Sequence, residues 1–127
     1  MPSGVLSGWL EKRGGGSSML GSTKYSNRWF VLDTEGKVRY FKAQPTRPSD
    51  LPQGLFSVLS ADMRTTSKTD FEVTVPSSIE GMDGATLTQE ERIYYLRAES
   101  AEDQNRWISA LQAAASRFVE VPKVSAL

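Results

Sequence analysis

Seven short segments that alternate apolar and polar residues precede a single amphipathic helix, and this order restricts the possible folds more than any other feature. A run of strands followed by one helix predicts a mainly β fold, in which a curled antiparallel sheet is closed at one end by the helix. The predicted strands span residues 6–13, 25–33, 38–44, 54–58, 62–66, 70–75 and 92–98.

The C-terminal helix has the clearest local pattern. Ser100 is placed to cap its N-terminus, and Asp103 at the third helical position approximates a capping box with the shorter acid. One helix face is apolar and needs an apolar surface to cover. The residues of this face recur at intervals of four, three and four positions: Trp107, Leu111, Ala114 and Phe118.

The length of 127 residues predicts a single domain over 1–127. Its core is expected to span about 5–119, followed by a short tail over 120–127. Residues 76–91 separate the last two predicted strands, are rich in Gly and Ser, and carry only acidic charges. This composition predicts a flexible acidic loop.

The chain contains neither Cys nor His. Disulfides, thiolate nucleophiles, the commonest zinc ligands and every imidazole-dependent triad are therefore excluded. We expect a non-catalytic protein with no cofactor and no metal, in a cytoplasmic compartment compatible with the lack of Cys. No run approaches the roughly 20 apolar residues that cross a bilayer. Any membrane contact is thus expected to be peripheral.

Five stretches occur in a characteristic order: GWLEKR, NRWFVL, VRYFKA, PQGLFSV and YYLRAESAEDQNRWISAL. In this order and nearly in this spacing they resemble a pleckstrin homology (PH) domain, over about residues 8–117. The resemblance implies a seven-stranded, bent antiparallel barrel capped by the C-terminal helix. It also implies a ligand class, because many members of the family bind phosphoinositide headgroups at the open end opposite the helix.

Strand parity predicts which side chains meet at that open mouth. Residues two apart on a strand face the same way, so apolar members of a row can fill the barrel while a polar member emerges at its mouth. Lys12 and Arg28 are expected to converge there, with Tyr40 offering a hydroxyl. A planar guanidinium suits a phosphate, and Lys adds a compact charge. The resemblance implies that these three residues hold an inositol phosphate.

Residues 1–49 contain eight Lys and Arg and three Asp and Glu, a net charge of +5 in a neutral chain. An anionic surface would orient such a dipolar body with its basic side down. Arg13 and Lys24 are therefore added to the predicted headgroup site. In lipid-binding members of the family, the second strand is typically preceded by a Lys/Arg-x-Arg pattern. This chain has Ser26-Asn27-Arg28 there and so lacks the first cation of the pattern. It also has Gln53 where such members often have a basic residue. Lys24 can compensate in part, and we expect weak or moderately specific binding.

Met19 and Leu20 lie in the Gly- and Ser-rich segment between the first two strands and have no periodic partner. Full burial of such a side chain among acyl chains contributes about 1.5–3 kcal/mol. Each nearby Lys or Arg adds about 1 kcal/mol on an anionic leaflet. We expect the pair to insert into the membrane; the alternative is that Met19 folds back onto the barrel rim.

Two functional classes remain open. One is a module that binds phosphoinositide or phosphatidic acid, is monomeric in isolation, and targets a larger parent protein to membranes. The other is a protein-interaction module, because related barrels bind peptides or small GTPases. Nucleic acid is not an expected partner, because the aromatic residues of the basic half lie in strands that need them for packing.

Overall fold

The computed structural model describes residues 4–14, 24–80 and 86–125, with side chains over 5–14, 24–77 and 88–116. The predicted mainly β architecture with one C-terminal helix is confirmed. In chain order the elements are β1 (Gly4–Arg13), β2 (Tyr25–Asp33), β3 (Lys37–Phe41), β4 (Gly54–Ser57), β5 (Asp62–Thr65), β6 (Asp70–Val75), β7 (Ser78–Glu80), β8 (Thr86–Thr88), β9 (Arg92–Arg97) and α1 (Ala101–Ser125).

Seven strands form one antiparallel sheet in the order β4-β3-β2-β1-β9-β6-β5. The register of β1 with β2 continues to the end of both strands, where Arg13 lies opposite Tyr25. β1 pairs with β9 only at Glu11 and Lys12, which lie opposite Arg97 and Leu96. β1 therefore joins the β2-β3-β4 half of the sheet to the β9-β6-β5 half.

The inner faces of both halves contribute to one apolar core. β6 shows the period of two directly, because Phe71, Val73 and Val75 are buried while the residues between them are half-buried. Such alternation is typical of a sheet with one face on a core and one toward solvent. Side chains from six strands and the helix meet in this core, among them Leu10, Phe30, Leu32, Val38, Phe56, Phe71, Val73, Leu96, Trp107 and Leu111.

The N-terminus of α1 is capped as predicted. The N–H of Asp103 donates to Ser100 Oγ at 3.0 Å, which satisfies one of the amide groups that a helix start leaves unpaired. The buried Gln104 fixes the same turn to the sheet, because its Nε2 donates to the carbonyls of Ser67 at 2.8 Å and Asp70 at 2.9 Å. The helix thus begins against the turn between β5 and β6.

The apolar face of α1 closes one end of the barrel. Trp107 is 1% exposed, packs edge-on against Phe30 with ring centroids 6.4 Å apart, and lies over Gly8. Leu111 and Ala114 on the same face are also buried. The fourth predicted member of the face, residue 118, lies outside the described side chains.

Two parts of the chain have secondary structure that the sequence analysis does not predict. Within the acidic segment 76–91, β7 and β8 form a hairpin in which Ile79 lies opposite Leu87; both three-residue strands alternate polar, apolar and polar residues, a pattern too short to predict a strand by itself. Beyond residue 119, where the expected core ends, α1 continues to Ser125. The prediction ended with the apolar spacing, whereas a helix can extend beyond the face that packs it.

Gln89 joins the two ends of the β7–β8 excursion to the main sheet. Its side chain accepts from the N–H of Ser57 at 3.0 Å and donates to the Ser57 carbonyl at 3.2 Å. The same Nε2 donates to the carbonyl of Pro76 at 3.0 Å. Gln89 therefore connects β4 at one end of the strand order with the residue that follows β6.

Replacing Gln89 by Ala is expected to lower the free energy of unfolding by about 1–3 kcal/mol, because the backbone groups of the buried Ser57 lose their partner. Urea denaturation monitored by Trp fluorescence measures this change. Gln44→Ala removes the same side chain at an exposed loop position and is expected to change stability by less than about 0.5 kcal/mol. Equal stability of the two variants would show that the Gln89 bonds contribute nothing.

Candidate functional site

Three inward-facing rows of side chains end in cations at the end of the barrel opposite Trp107. On β1, Gly8 lies under the helix, Leu10 is in the core, and Lys12 follows in the same row. The row of β2 carries Arg28 beyond the buried Phe30, and the row of β9 begins with Arg92. We refer to Lys12, Arg28 and Arg92, with the adjacent rings of Tyr40 and Tyr94, as the mouth cluster.

Lys12 lies between the two tyrosine rings. Its Nζ is 5.1 Å from the centroid of Tyr40 and 5.9 Å from that of Tyr94, distances at which a cation is attracted to the ring face. Burial, followed by repulsion from Arg92 and Arg28, lowers the pKa of Lys12 from 10.5 to about 8. Both guanidinium groups are therefore close enough to repel the Lys12 ammonium group, and an anion placed among the three cations would interact with all of them.

A stack of aromatic rings forms the floor beneath Lys12. The rings of Phe56 and Tyr94 are parallel to within 15° at 4.0 Å, and Tyr40 stacks on Phe30 at 5.3 Å. Tyr40 lies directly over Gly54 of the paired strand, where an added Cβ would be 2.2 Å from the ring. Only glycine permits this approach, so Gly54 determines how closely the Tyr40 ring lies against β4.

The guanidinium of Arg28 is held by the segment that leads into β4. Its Nε donates to Gln53 Oε1 at 2.7 Å, and its Nη1 donates to the carbonyl of Asn27 at 2.7 Å. Gln53 in turn donates its N–H to the carbonyl of Tyr40 at 2.7 Å. In the sequence, Gln53 stands out only because it replaces a basic residue. In the structure, its side chain orients the guanidinium of Arg28.

Arg92 was not predicted as a site residue. Its guanidinium carbon lies 4.6 Å from the centroid of Tyr94. Burial raises the pKa of Tyr94, although Arg92 acts in the opposite direction, so at neutral pH the hydroxyl remains a donor. The alternation Arg92-Ile93-Tyr94-Tyr95-Leu96 carries the same parity argument that placed Lys12 and Arg28, and applying it to β9 would have found Arg92.

The pairing of charges separates the mouth from the outer walls. Within the described part of the chain, no carboxylate forms an ion pair with Lys12, Arg28 or Arg92. Six cations elsewhere are each paired with Asp or Glu: Lys37, Arg39, Arg47, Arg64, Arg97 and Arg106. Six cations outside the mouth are thus paired with carboxylates, whereas among the described residues the three cations of the mouth cluster are not.

The remaining predicted site residues do not all join this cluster. Arg13 follows Lys12 and so lies on the outer face of β1, with its guanidinium carbon 3.9 Å from the centroid of Tyr95. Lys24 is exposed immediately before β2, and its carbonyl accepts from the N–H of Gly14 at 2.8 Å. Met19 and Leu20 lie outside the described residues.

A family model described as the PH domain matches residues 4–116. The chain belongs to the PH domain family. The search of curated protein sequences found no match. In this PH domain the C-terminal helix closes one end of the barrel and the mouth cluster lies at the other.

Solved PH domains share the fold at low sequence identity. The PH domain of human oxysterol binding protein-related protein 11 is 24% identical with a TM-score of 0.63, over 91% of this chain and 82% of that one. The C-terminal PH domain of pleckstrin, in complex with D-myo-Ins(1,2,3,5,6)P5, is 20% identical with a TM-score of 0.63, over 91% and 98%. The Slm1 PH domain, in complex with inositol-4-phosphate, is 18% identical with a TM-score of 0.66, over 91% and 100%. At these identities the likeness is one of fold.

In the part of the chain that the structure describes, no helix has the length and apolar character needed to cross a bilayer.

Replacing Lys12 by Met is expected to raise the free energy of unfolding at pH 7 by about 1 kcal/mol, after allowance for solvent screening. Met keeps the apolar stem and removes a charge that burial and two guanidinium groups disfavour. In the wild type, the unfolded chain stays protonated to about pH 10.5, whereas the fold releases the proton near pH 8. Wild-type stability therefore gains with pH in this window, and the advantage of the variant shrinks.

Urea denaturation at pH 7 and pH 9.5 measures this difference. Lys68→Met, at an exposed position, should show neither the gain nor its pH dependence. A Lys12→Met protein less stable than the wild type at pH 7 would contradict the expectation that the folded environment disfavours the charge.

Proposed function

We propose that this PH domain binds the phosphorylated headgroup of a phosphoinositide in the mouth cluster and so holds a parent protein at a membrane. PH domains are generally non-catalytic binding modules, and the proposal is one of binding. The observation that carries it is the convergence of Lys12, Arg28 and Arg92 without a carboxylate partner among the described residues. The pleckstrin and Slm1 PH domains were solved with inositol phosphates, which supports the ligand class.

Each member of the mouth cluster has a role in this proposal. Arg28, with Nε and Nη1 bonded to the protein, directs Nη2 to a phosphate oxygen in a fixed orientation. Lys12 supplies a compact charge above Tyr40, and Arg92 supplies a second guanidinium above Tyr94. A bound phosphate would favour the charged form of Lys12 and raise its pKa, so binding is expected to weaken as pH rises above about 8.

Arg13 and Lys24 are proposed to contact the surrounding anionic lipids. Arg13 lies on the outer face of β1, and Lys24 borders the mouth at the start of β2. Charges in these positions attract phosphatidic acid and phosphoinositides alike, and the attraction falls with salt. The mouth cluster is thus proposed to recognise the headgroup, and Arg13 and Lys24 to add a weaker and less specific attraction. Both would act at the cytoplasmic face of a membrane.

Arg92→Gln is expected to weaken the binding of a soluble inositol phosphate about tenfold, because one hydrogen bond to a charged group is lost. Isothermal titration calorimetry at fixed ionic strength measures the affinity. Arg106→Gln is the matched control, since Arg106 is an exposed arginine on α1 paired with Asp103, and its affinity should equal that of the wild type. Equal affinity of both variants would remove Arg92 from the site.

Vesicle sedimentation tests the function as a whole. Vesicles containing a phosphoinositide should retain the wild type, and neutral vesicles should not. Equal retention by the two would overturn the lipid-binding proposal and favour the protein-interaction class.

Insertion of Met19 and Leu20 remains a prediction and is tested in the same assay. Replacing both with Ser is expected to reduce retention on phosphoinositide vesicles about tenfold, since part of the about 1.5–3 kcal/mol of each buried side chain is lost. The affinity for soluble inositol phosphate and the thermal midpoint should not change. A markedly lower midpoint would instead place the pair in the apolar core.

A further inference from the structure

We propose that the β3–β4 loop (residues 42–53) is a second membrane anchor, whose Leu51 enters the acyl region of an anionic bilayer while the mouth cluster holds a headgroup. This inference rests on the proposed lipid-binding function. Leu51 is 86% exposed, more than any other large apolar residue among the described side chains. β3 runs toward the mouth at Tyr40 and β4 returns from it at Gly54, so the loop between them borders the mouth.

The loop is built to hold its shape without burying Leu51. Asp50 Oδ2 accepts from the N–H groups of Thr46 at 2.9 Å and Arg47 at 3.2 Å, and these bonds lower the pKa of Asp50. The N–H of Asp50 donates back to the carbonyl of Arg47 at 3.0 Å. Three residues with fixed φ further restrict the segment: Pro45, Pro48 and Pro52. A preorganised loop loses little conformational entropy when it docks.

The charges around Leu51 match an anionic membrane surface. Lys42 and Arg47 are exposed on the same loop, and Arg47 keeps a side chain that is 76% accessible despite its 3.6 Å contact with Asp50. The loop carries two cations, Lys42 and Arg47, against one acid, Asp50. An exposed apolar residue in a loop of net positive charge suits the boundary between acyl chains and anionic headgroups. The exposed leucine on the outer sheet face, Leu55, is 54% exposed and lies opposite Arg39. Leu55 therefore differs from Leu51 in its place, on a strand of the sheet rather than in the loop beside the mouth.

The loop is also connected to the headgroup site. Gln53, two residues after Leu51, accepts from Arg28 Nε and donates to the carbonyl of Tyr40. These two bonds fix the C-terminal end of the loop against the mouth cluster. Headgroup contact and insertion are therefore expected to occur in one orientation of the domain.

The first experiment compares Leu51→Ser with Leu55→Ser, the same change at a second exposed leucine. On vesicles of phosphatidylcholine with a phosphoinositide, Leu51→Ser is expected to lower the partition coefficient about tenfold, and Leu55→Ser to leave it unchanged. Calorimetric titration of both variants with soluble inositol phosphate should give the wild-type affinity, because neither leucine belongs to the mouth cluster. Thermal midpoints should also match the wild type.

The second experiment reads insertion directly. The chain has no Cys, so Leu51→Cys and Val5→Cys each carry a single environment-sensitive dye; Val5 is 51% exposed near the start of β1, away from the mouth. The dye at position 51 is expected to shift to the blue with phosphoinositide vesicles and not with soluble inositol phosphate. The dye at position 5 should shift with neither.

The possible outcomes separate this inference from the function on which it rests. If the wild type binds the vesicles but Leu51→Ser binds equally well, or the dye at position 51 stays in water, the anchor is overturned and headgroup binding stands. If phosphoinositide vesicles retain no more wild-type protein than neutral ones, the lipid-binding function and the anchor both fail. Retention with selective loss in Leu51→Ser and a blue shift at position 51 supports the anchor.

Discussion

The contact of Tyr40 with Gly54 is the constraint on which the mouth of the barrel depends. The Tyr40 ring occupies the space that a side chain at position 54 would fill, and it is held there by Phe30 and the edge of Tyr94. Because the ring is fixed, Lys12 has a face over which to place its ammonium group. Close packing in the barrel therefore determines where positive charge is presented.

A charged site built in this way conflicts with stability. Folding moves the ammonium group of Lys12 partly out of water and toward two guanidinium groups. Both changes disfavour the charged form, which lowers the pKa of Lys12 and reduces the stability of the fold at neutral pH. The rest of the sheet shows that the chain can pair its cations, because Arg97 contacts both Glu11 and Asp70. Uncompensated charge at one end is consistent with a site whose compensation comes from a ligand.

Most of the fold could be predicted from the sequence, because strand alternation and the helix periodicity agree with one architecture. β2 and β6 have the predicted bounds, and the cap at Ser100 is the predicted one. The hairpin of β7 and β8 was missed because three residues of alternation are not distinctive. The backbone of α1 continues to Ser125, beyond the last residue of the predicted apolar spacing.

For the candidate site, strand parity placed Lys12 and Arg28 at one end of the barrel. The support of Arg28 by Gln53 and the orientation of Arg13 were not predicted from the sequence. Gln53 supports Arg28 through a side-chain bond across 25 residues, and such a bond depends on the path of a loop that propensity does not encode. Arg13 has the residue type expected of a phosphate ligand but lies on the outer face of its strand, stacked on Tyr95. Residue type alone did not distinguish the two faces.

The Gln89 side chain has a consequence for behaviour at high concentration. β4 ends the strand order, and the outward N–H and carbonyl of Ser57 are the groups that a strand from another molecule would use to extend the sheet. Gln89 occupies both of them from within the same chain. At Ser57 this edge is therefore closed to another strand by a neutral amide, rather than by the charged or proline residues that usually perform this task.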